Sequence, residues 1–250
     1  HGAPLPPDLG PDRFVVCVQN HDQVGNRARG DRLSALVREP AAQRLAACLL
    51  LLSPHLPLLF MGQEYGAEHP FPFFCSFGDE GLMQAVRDGR AREFAAFAWQ
   101  GEVPDPGAEA TFASARLDWS WPDGTPRAGL RQLYRDLLTA RREWPALRDP
   151  ARRAARVLPD PAAGPVLELT RGDAASGGAL RALFNLAGTP QPVPEGSLPG
   201  GRAKWSSEEL RYGGARLNDL ALLLAFDFIE HHQPARRTEP REVECRDHPS

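Results

Sequence analysis

The residues best suited to chemistry form one short polar run, 19–27, with the sequence QNHDQVGNR. Within it a carboxylate, Asp22, directly follows an imidazole, His21. Such a pair can bind a metal ion, transfer protons or stabilise positive charge. The neighbouring amides and Arg27 offer hydrogen-bond donors and acceptors to hydroxyl groups. An Asn-His-Asp triplet on a loop is also common as a structural feature, so the residues alone leave these roles open.

The polar run follows a segment that predicts a strand. Residues 14–18 (FVVCV) are wholly apolar and rich in β-branched side chains, which is typical of a strand buried on both faces of a parallel sheet. Pro40 and the Ala- and Leu-rich stretch 41–52 predict a helix. Residues 58–61 predict a second strand, which ends at the polar triplet 62–64. This βαβ pattern places both polar ends at one edge, where the active site of a (β/α) barrel lies.

The pattern of apolar and turn-forming residues changes after Pro150. Before it, the pattern predicts an aromatic and proline-rich loop at 65–80 and two short helices at 81–89 and 90–99. A second loop is predicted at 100–126 and a longer helix at 130–144. After it, short apolar runs are separated by Pro, Gly and Asp, which predicts antiparallel strands at 157–158, 166–170 and 180–186. We therefore expect an α/β part followed by an antiparallel β-sandwich.

The last part of the chain fits neither pattern. A dense apolar run, 220–229, precedes a charged stretch with few apolar residues. It predicts a helix with a disordered end, or a sequence unrelated to the domain before it. We expect deletion from Leu217 onward to change stability only slightly.

Composition excludes several classes of protein. The net charge of −3 over 250 residues gives no electrostatic reason to expect nucleic acid or an anionic membrane as a partner. The longest apolar run is broken by Pro54, and neither half could span a bilayer. The four cysteines lack zinc-site spacing and suit reduced thiols of a cytoplasmic protein; they are Cys17, Cys48, Cys75 and Cys245. We expect no metal site.

Four longer runs carry a resemblance to a known family. FVVCVQNHDQVGNRARGDRL resembles the strand-seven motif of the α-amylase superfamily, and its NHDQVGNR form is similar to that of maltooligosyltrehalose trehalohydrolases. LPLLFMGQEYGAEHPFPFF resembles the eighth strand and following loop of these enzymes, and GRAREFAAF and LYRDLLTARREWPAL resemble their helices. The likeness extends over about residues 11–213. It implies the C-terminal part of a (β/α)8 TIM barrel (1–149), an antiparallel β-sandwich domain (150–216) and an atypical tail (217–250).

The resemblance also implies roles for individual residues. Asp22 matches the carboxylate that stabilises the transition state, and His21 matches the imidazole that binds a hydroxyl of the sugar being cleaved. The remaining residues of the loop match the lining of the substrate cleft: Gln23, Val24, Gly25, Asn26 and, more weakly, Arg27. Glycosyl transfer passes through an oxocarbenium-like transition state, which a fixed carboxylate near the sugar ring stabilises. The nucleophile and general acid of the superfamily lie on earlier strands that this sequence lacks, so we expect an incomplete, inactive fragment.

The resemblance implies one activity and leaves two alternatives. The activity is retaining hydrolysis, without a cofactor, of the α-1,4 bond next to the terminal trehalose of maltooligosyltrehalose, with that oligosaccharide as the partner. One alternative is a glucan branching enzyme, which shares the barrel and an eighth strand of the FMGxE type, although the QNHDQVGNR loop differs from the branching-enzyme loop. The other is a non-catalytic glucan-binding protein that kept the cleft and lost the acid and the nucleophile.

Overall fold

The structure of the protein is a computed structural model. It describes residues 6, 8–96, 103–151, 153–158, 164–173, 178–193, 205–215, 222–223 and 228–234. The helices are α1 (His21–Gly25), α2 (Leu33–Leu36), α3 (Pro40–Leu52), α4 (Glu80–Ala96), α5 (Glu109–Ser114), α6 (Pro126–Glu143) and α7 (Pro145–Arg148). The strands are β1 (Val15–Val16), β2 (Leu56–Pro57), β3 (Arg153–Leu158), β4 (Val166–Asp173), β5 (Gly178–Asn185), β6 (Gln191–Pro192), β7 (Trp205–Ser206), β8 (Leu222–Leu223) and β9 (Phe228–Pro234).

The predicted βαβ unit is present, with shorter strands. β1 and β2 pair in parallel, and α3 connects them. Pro40 begins α3, as predicted, and the helix ends before Ser53. The second strand lies slightly earlier than the predicted 58–61. It is held by hydrogen bonds from the amide of Leu56 to the carbonyl of Phe14 (2.9 Å) and from that of Leu58 to Val16 (2.8 Å).

The expected burial of the first strand on both faces is wrong. Val15 is 64 % exposed and Leu56, its partner in β2, is 48 % exposed. Among the described residues β1 and β2 pair only with each other, so their outer edges and one set of apolar side chains are uncovered. An apolar run therefore predicted the strand itself but not what covers it.

The helices after β2 also differ in detail from the prediction. A single helix, α4, replaces the two predicted at 81–89 and 90–99, and the part of the prediction beyond Ala96 lies outside the described residues. A short helix, α5, lies within the predicted loop 100–126. α6 begins before residue 130 because the Thr125 side chain accepts a hydrogen bond from the amide of Ala128 and Pro126 occupies the first turn.

The strands after Pro150 are antiparallel, as predicted. They form one five-stranded sheet in the order β3-β4-β5-β9-β7, beside a separate pair of β6 and β8. The predicted strands at 166–170 and 180–186 lie within or next to β4 and β5, which pair over eight residues. The described strands therefore show an antiparallel β-structure, and its assignment as a sandwich stays a prediction.

The segment expected to form a helix after Leu217 contributes strands instead. Within 220–229 the described residues belong to β8 and to the start of β9. β9 pairs with β5 over seven residues and with β7 on its other side, so it is an interior strand of the sheet. A dense apolar run is compatible with a buried strand as well as with a helix, and the periodicity of its apolar residues alone cannot distinguish the two. The expectation of a tail outside the fold was wrong for this strand.

One hydrophobic core connects the helices to the sheet. It includes Leu51 from α3, Leu133 from α6, and Leu180 and Phe184 from β5, all at most 1 % exposed. The change from helices to strands falls between α7 and β3, yet the buried side chains continue across it. Any division into domains near Pro150 thus separates two regions that share one core.

Candidate active site

The polar run after β1 folds into the short helix α1, which presents His21 and Asp22 to solvent. The Asn20 side chain accepts a hydrogen bond from the amide of Gln23 (2.8 Å), an N-cap that fixes where the helix begins. On the opposite side of the helix Val24 is 2 % exposed. The buried Val24 and the cap hold α1 in place, so the two candidate catalytic side chains point outward from a fixed base.

The predicted catalytic residue, Asp22, is in contact with the predicted substrate-binding residue His21. The Nε2 atom of His21 lies 3.2 Å from Oδ1 of Asp22, and the two side chains are 70 % and 72 % exposed. At this exposure the carboxylate keeps most of its surface free for a ligand. The arrangement suits a group that meets a substrate from one side.

Four of the five other predicted residues line one cavity of about 450 Å³. They are Gln23, Val24, Asn26 and Arg27. The rest of the wall comes from the end of the first strand region and from the segment after the motif, and includes Val18, Asp31 and Leu36. Gly25 is buried outside this wall, and its carbonyl accepts a hydrogen bond from Nη2 of Arg90 on α4 (3.3 Å). Neither His21 nor Asp22 lines this cavity, but the pair directly precedes Gln23 in the chain, so most of the predicted cleft residues lie together next to it.

Three residues have a supporting role in this loop that the sequence did not predict. Gln19 is 5 % exposed and its Oε1 accepts a hydrogen bond from the amide of Leu33 (2.9 Å). Arg32 is 1 % exposed and donates to two backbone carbonyls, and Arg90 supports the end of α1. Arg32 and Arg90 are the same residue type as the exposed Arg27, and only their tertiary contacts distinguish them from it.

Two acidic residues, Glu64 and Asp79, follow β2 in the chain. Asp79 is exposed, and its Oδ1 accepts a hydrogen bond from the amide of Leu82 (3.0 Å), which caps the start of α4. Glu64 is half-buried in a 3₁₀ turn, Gln63–Tyr65. The capping bond gives Asp79 a structural role.

The tryptophans that could stack on sugar rings pack against Tyr65. The ring centroids of Trp119 and Trp121 lie 6.0 Å and 5.2 Å from that of Tyr65. Tyr65 is fully buried, and this burial raises the pKa of its hydroxyl. Both tryptophans therefore pack against a buried ring, while Trp119 also keeps 62 % of its surface exposed.

The described residues contain neither a metal-binding cluster nor a membrane-spanning helix. No group of three or more His, Cys, Asp and Glu side chains within the described ranges is arranged to hold a metal ion. In the same part of the chain, no helix combines the length and the apolar character needed to cross a membrane.

Comparison with known proteins gives relatives of two kinds. A malto-oligosyltrehalose trehalohydrolase from Arthrobacter ramosus is 46 % identical over 196 residues, which is 78 % of this chain and 32 % of the relative. The chain thus spans about a third of the length of that curated relative. A 1,4-α-glucan branching enzyme from Xanthomonas euvesicatoria matches more weakly, with 35 % identity over 48 % of this chain and 17 % of the relative.

A solved structure supports the same relationship at the level of the fold. A crystal structure from Salmonella typhimurium, described as a candidate α-amylase, superposes with a TM-score of 0.69 and 34 % identity. The superposition covers 89 % of this chain and 35 % of that one. No protein-family model matches the chain.

Proposed function

Because this chain is related to the malto-oligosyltrehalose trehalohydrolases, we propose that it forms part of a glycoside hydrolase of the same specificity. The proposed enzyme cleaves the α-1,4-glucosidic bond next to the terminal trehalose of maltooligosyltrehalose and releases trehalose. The observation that carries the proposal is the position of the exposed His21–Asp22 pair, on a capped helix after β1, beside a cavity lined by the same motif. We place the enzyme in the cytoplasm.

We propose that Asp22 stabilises the transition state. Positive charge develops on the sugar ring as the glycosidic bond breaks, and a carboxylate held nearby lowers the energy of that charge more than the energy of the bound substrate. His21 is positioned to hydrogen-bond a hydroxyl of the same sugar. Gln23, Asn26 and Arg27 supply donors and acceptors along the cavity wall for the neighbouring sugar hydroxyls.

The wider fold that we propose is the last part of a (β/α)8 barrel followed by a β-sandwich domain. The parallel pairing of β1 with β2 through α3 supports strands seven and eight of such a barrel. We keep the division at 1–149 and 150–216, and add β9 to the second region because it lies between β5 and β7. The nucleophile and the general acid are then supplied by parts of the complete enzyme outside this chain.

The test replaces Asp22 with Asn in the complete enzyme. We expect trehalose release to fall by about two orders of magnitude or more in kcat, with KM nearly unchanged, because the lost interaction acts in the transition state. The matched control is Asp123→Asn, at an exposed turn before α6, which should keep wild-type turnover. An Asp22→Asn enzyme with more than about a tenth of wild-type kcat would contradict the role assigned to Asp22.

The same assay separates the alternatives. A branching enzyme would release no trehalose and would create α-1,6 branches in a linear glucan, which debranching and chain analysis detect. A non-catalytic glucan-binding protein would retain the oligosaccharide in an equilibrium binding measurement and would convert neither substrate. The stronger similarity to the trehalohydrolases than to the branching enzyme supports the first reading.

A further inference from the structure

Arg32 is an almost fully buried cation beneath the loops that form the candidate site. It is 1 % exposed, its Nε donates to the carbonyl of His69 (2.6 Å) and its Nη1 donates to the carbonyl of Met61 (2.7 Å). The guanidinium carbon also lies 4.8 Å from the ring centroid of Phe60. Burial lowers the pKa of this guanidinium. The side chain thus connects the segment after the motif to both ends of the segment 61–69.

The geometry of these bonds requires an arginine. The two carbonyls belong to residues at opposite ends of one loop, and separate nitrogens of the rigid, planar fork reach them at the same time. A lysine offers a single nitrogen on a flexible stem. The third nitrogen of Arg32, Nη2, is buried and has no hydrogen-bond partner among the described residues. A buried donor without a partner costs stability, so a contribution to stability alone is a weak reason for an arginine here.

Other bonds continue the same connection. The amide of Phe71 donates to the carbonyl of Gly30 (2.8 Å), and the hydroxyl of Ser34 donates to the carbonyl of Ala67 (2.5 Å). Gly30 has a φ of +70°, and a Cβ at this position would lie only 2.2 Å from the backbone of Pro72. The chain around Arg32 therefore lies directly against the segment that follows β2, and at Gly30 there is no space for a side chain.

The residue after Arg32 connects this segment to the loop that carries Asp22. The amide of Leu33 donates to Oε1 of Gln19, and Gln19 directly precedes Asn20, the N-cap of α1. Helix α1 carries Asp22 in its first turn. A shift of the backbone at Arg32 would move the hydrogen-bond donor that holds Gln19, and with it the cap that orients the helix.

We propose that Arg32 is a positioning residue that holds the segment after β2 against the Asp22 loop and so sets the orientation of the Asp22 carboxylate. For catalysis this inference rests on the function proposed above. Arg32 acts through Gln19 and α1, because its own side chain is buried away from any ligand.

The test compares Arg32→Lys with Arg141→Lys in the complete enzyme. Arg141 is the matched control: it is also partly buried and donates to the carbonyls of Leu51, Ser53 and His55. Its bonds lie at the end of α3 and in the segment before β2, whereas α1 follows the other end of the β1–β2 pair. Misplacement of a reacting group by about 1 Å can lower rates roughly 100-fold. We expect Arg32→Lys to lower kcat by about ten- to a hundredfold with KM within about twofold, and Arg141→Lys to leave kcat within about twofold.

Two further measurements separate positioning from general destabilisation. Amide hydrogen exchange should become faster at Gln23, Val24 and Asn26 in Arg32→Lys but not in Arg141→Lys. In an Arg32→Ala enzyme, guanidinium ion at concentrations far below denaturing ones should restore part of kcat. If Arg32→Ala does not fold, the lysine variant alone decides the question.

The exchange measurement keeps the inference distinct from the proposed function. If the wild-type enzyme releases no trehalose, the proposed function fails, while faster exchange in α1 still supports Arg32 as the residue that positions this helix. Unchanged exchange in α1 overturns the proposal. A loss of kcat in Arg32→Lys that equals the loss in Arg141→Lys at the same melting temperature overturns it as well.

Discussion

A buried ion pair between α3 and the loop after β7 gives the most quantitative prediction. Nε of Arg44 donates to Oε1 of Glu208 (2.9 Å) and Nη2 donates to Oε2 (2.6 Å). Both side chains are 5 % exposed, and Nη1 of Arg44 also reaches the carbonyl of Gly213 at 3.4 Å. The pair connects the helical region to the β region within the shared core.

Removal of one partner should cost much more than removal of both. Glu208→Ala leaves the Arg44 guanidinium buried and without its carboxylate, which typically costs about 3–5 kcal/mol. For a domain of this size one kcal/mol corresponds to about 2–4 °C in Tm, so we expect a loss of roughly 6–20 °C. The double variant Arg44→Met/Glu208→Leu replaces both charges with apolar side chains and should lie within about 1 kcal/mol of wild type.

The assay is urea unfolding of the wild type, both single variants and the double variant, read as a double-mutant cycle. Glu143→Ala is the control, because the Arg142–Glu143 pair is exposed and should contribute at most about 1 kcal/mol. The reasoning would be refuted if Glu208→Ala cost less than about 1 kcal/mol. It would also be refuted if the double variant were as unstable as Glu208→Ala.

Three further predictions follow from the strand β9, the catalytic groups and an exposed ion pair. Truncation before Phe228 removes β9 from between β5 and β7, so we expect a loss of several °C in Tm by calorimetry; an unchanged Tm would contradict its place in the sheet. The 250-residue chain alone should release no trehalose from maltooligosyltrehalose, and turnover near that of the complete enzyme would make Glu64 and Asp79 the next residues to replace. The Arg127 guanidinium, 2.7 Å from Asp118, lowers the pKa of that carboxyl. The stabilising effect of the Arg127–Asp118 pair is therefore present above pH about 4 and is lost as the pH falls through the lowered pKa of Asp118. NMR titration should show that Arg127→Gln raises the pKa of Asp118. An unchanged pKa would exclude the ion pair as the cause of the lowered value.

Local signals in the sequence predicted several elements and part of the site. Pro40 and the apolar stretch after it predicted the start and length of α3 correctly. Both signals, a proline in the first turn and a helix-forming stretch, depend only on residues within the helix itself. The same holds for the position of β4, which lies between turn residues. The polar run after β1 was identified because a carboxylate, an imidazole and amides follow one another directly in the chain.

The errors have a common cause. The segment at 220–229 was expected to be a helix or a sequence unrelated to the domain before it. Its described residues are strands, because partners far away in the chain supply the hydrogen bonds of β9. Val15 was expected to be buried, yet burial depends on what packs against β1. Neither partner is visible in the local pattern.

By itself, the sequence determined the chemical groups of the candidate site and the chain order that puts them at the end of a strand. Only the tertiary structure decided which arginines support that site. Arg27 and Arg32 have the same side chain five positions apart, but Arg27 is exposed at the cavity and Arg32 is buried between two loops. The difference arises because carbonyls 29 and 37 residues further along the chain, at Met61 and His69, accept the hydrogen bonds of Arg32, and only folding brings them within reach.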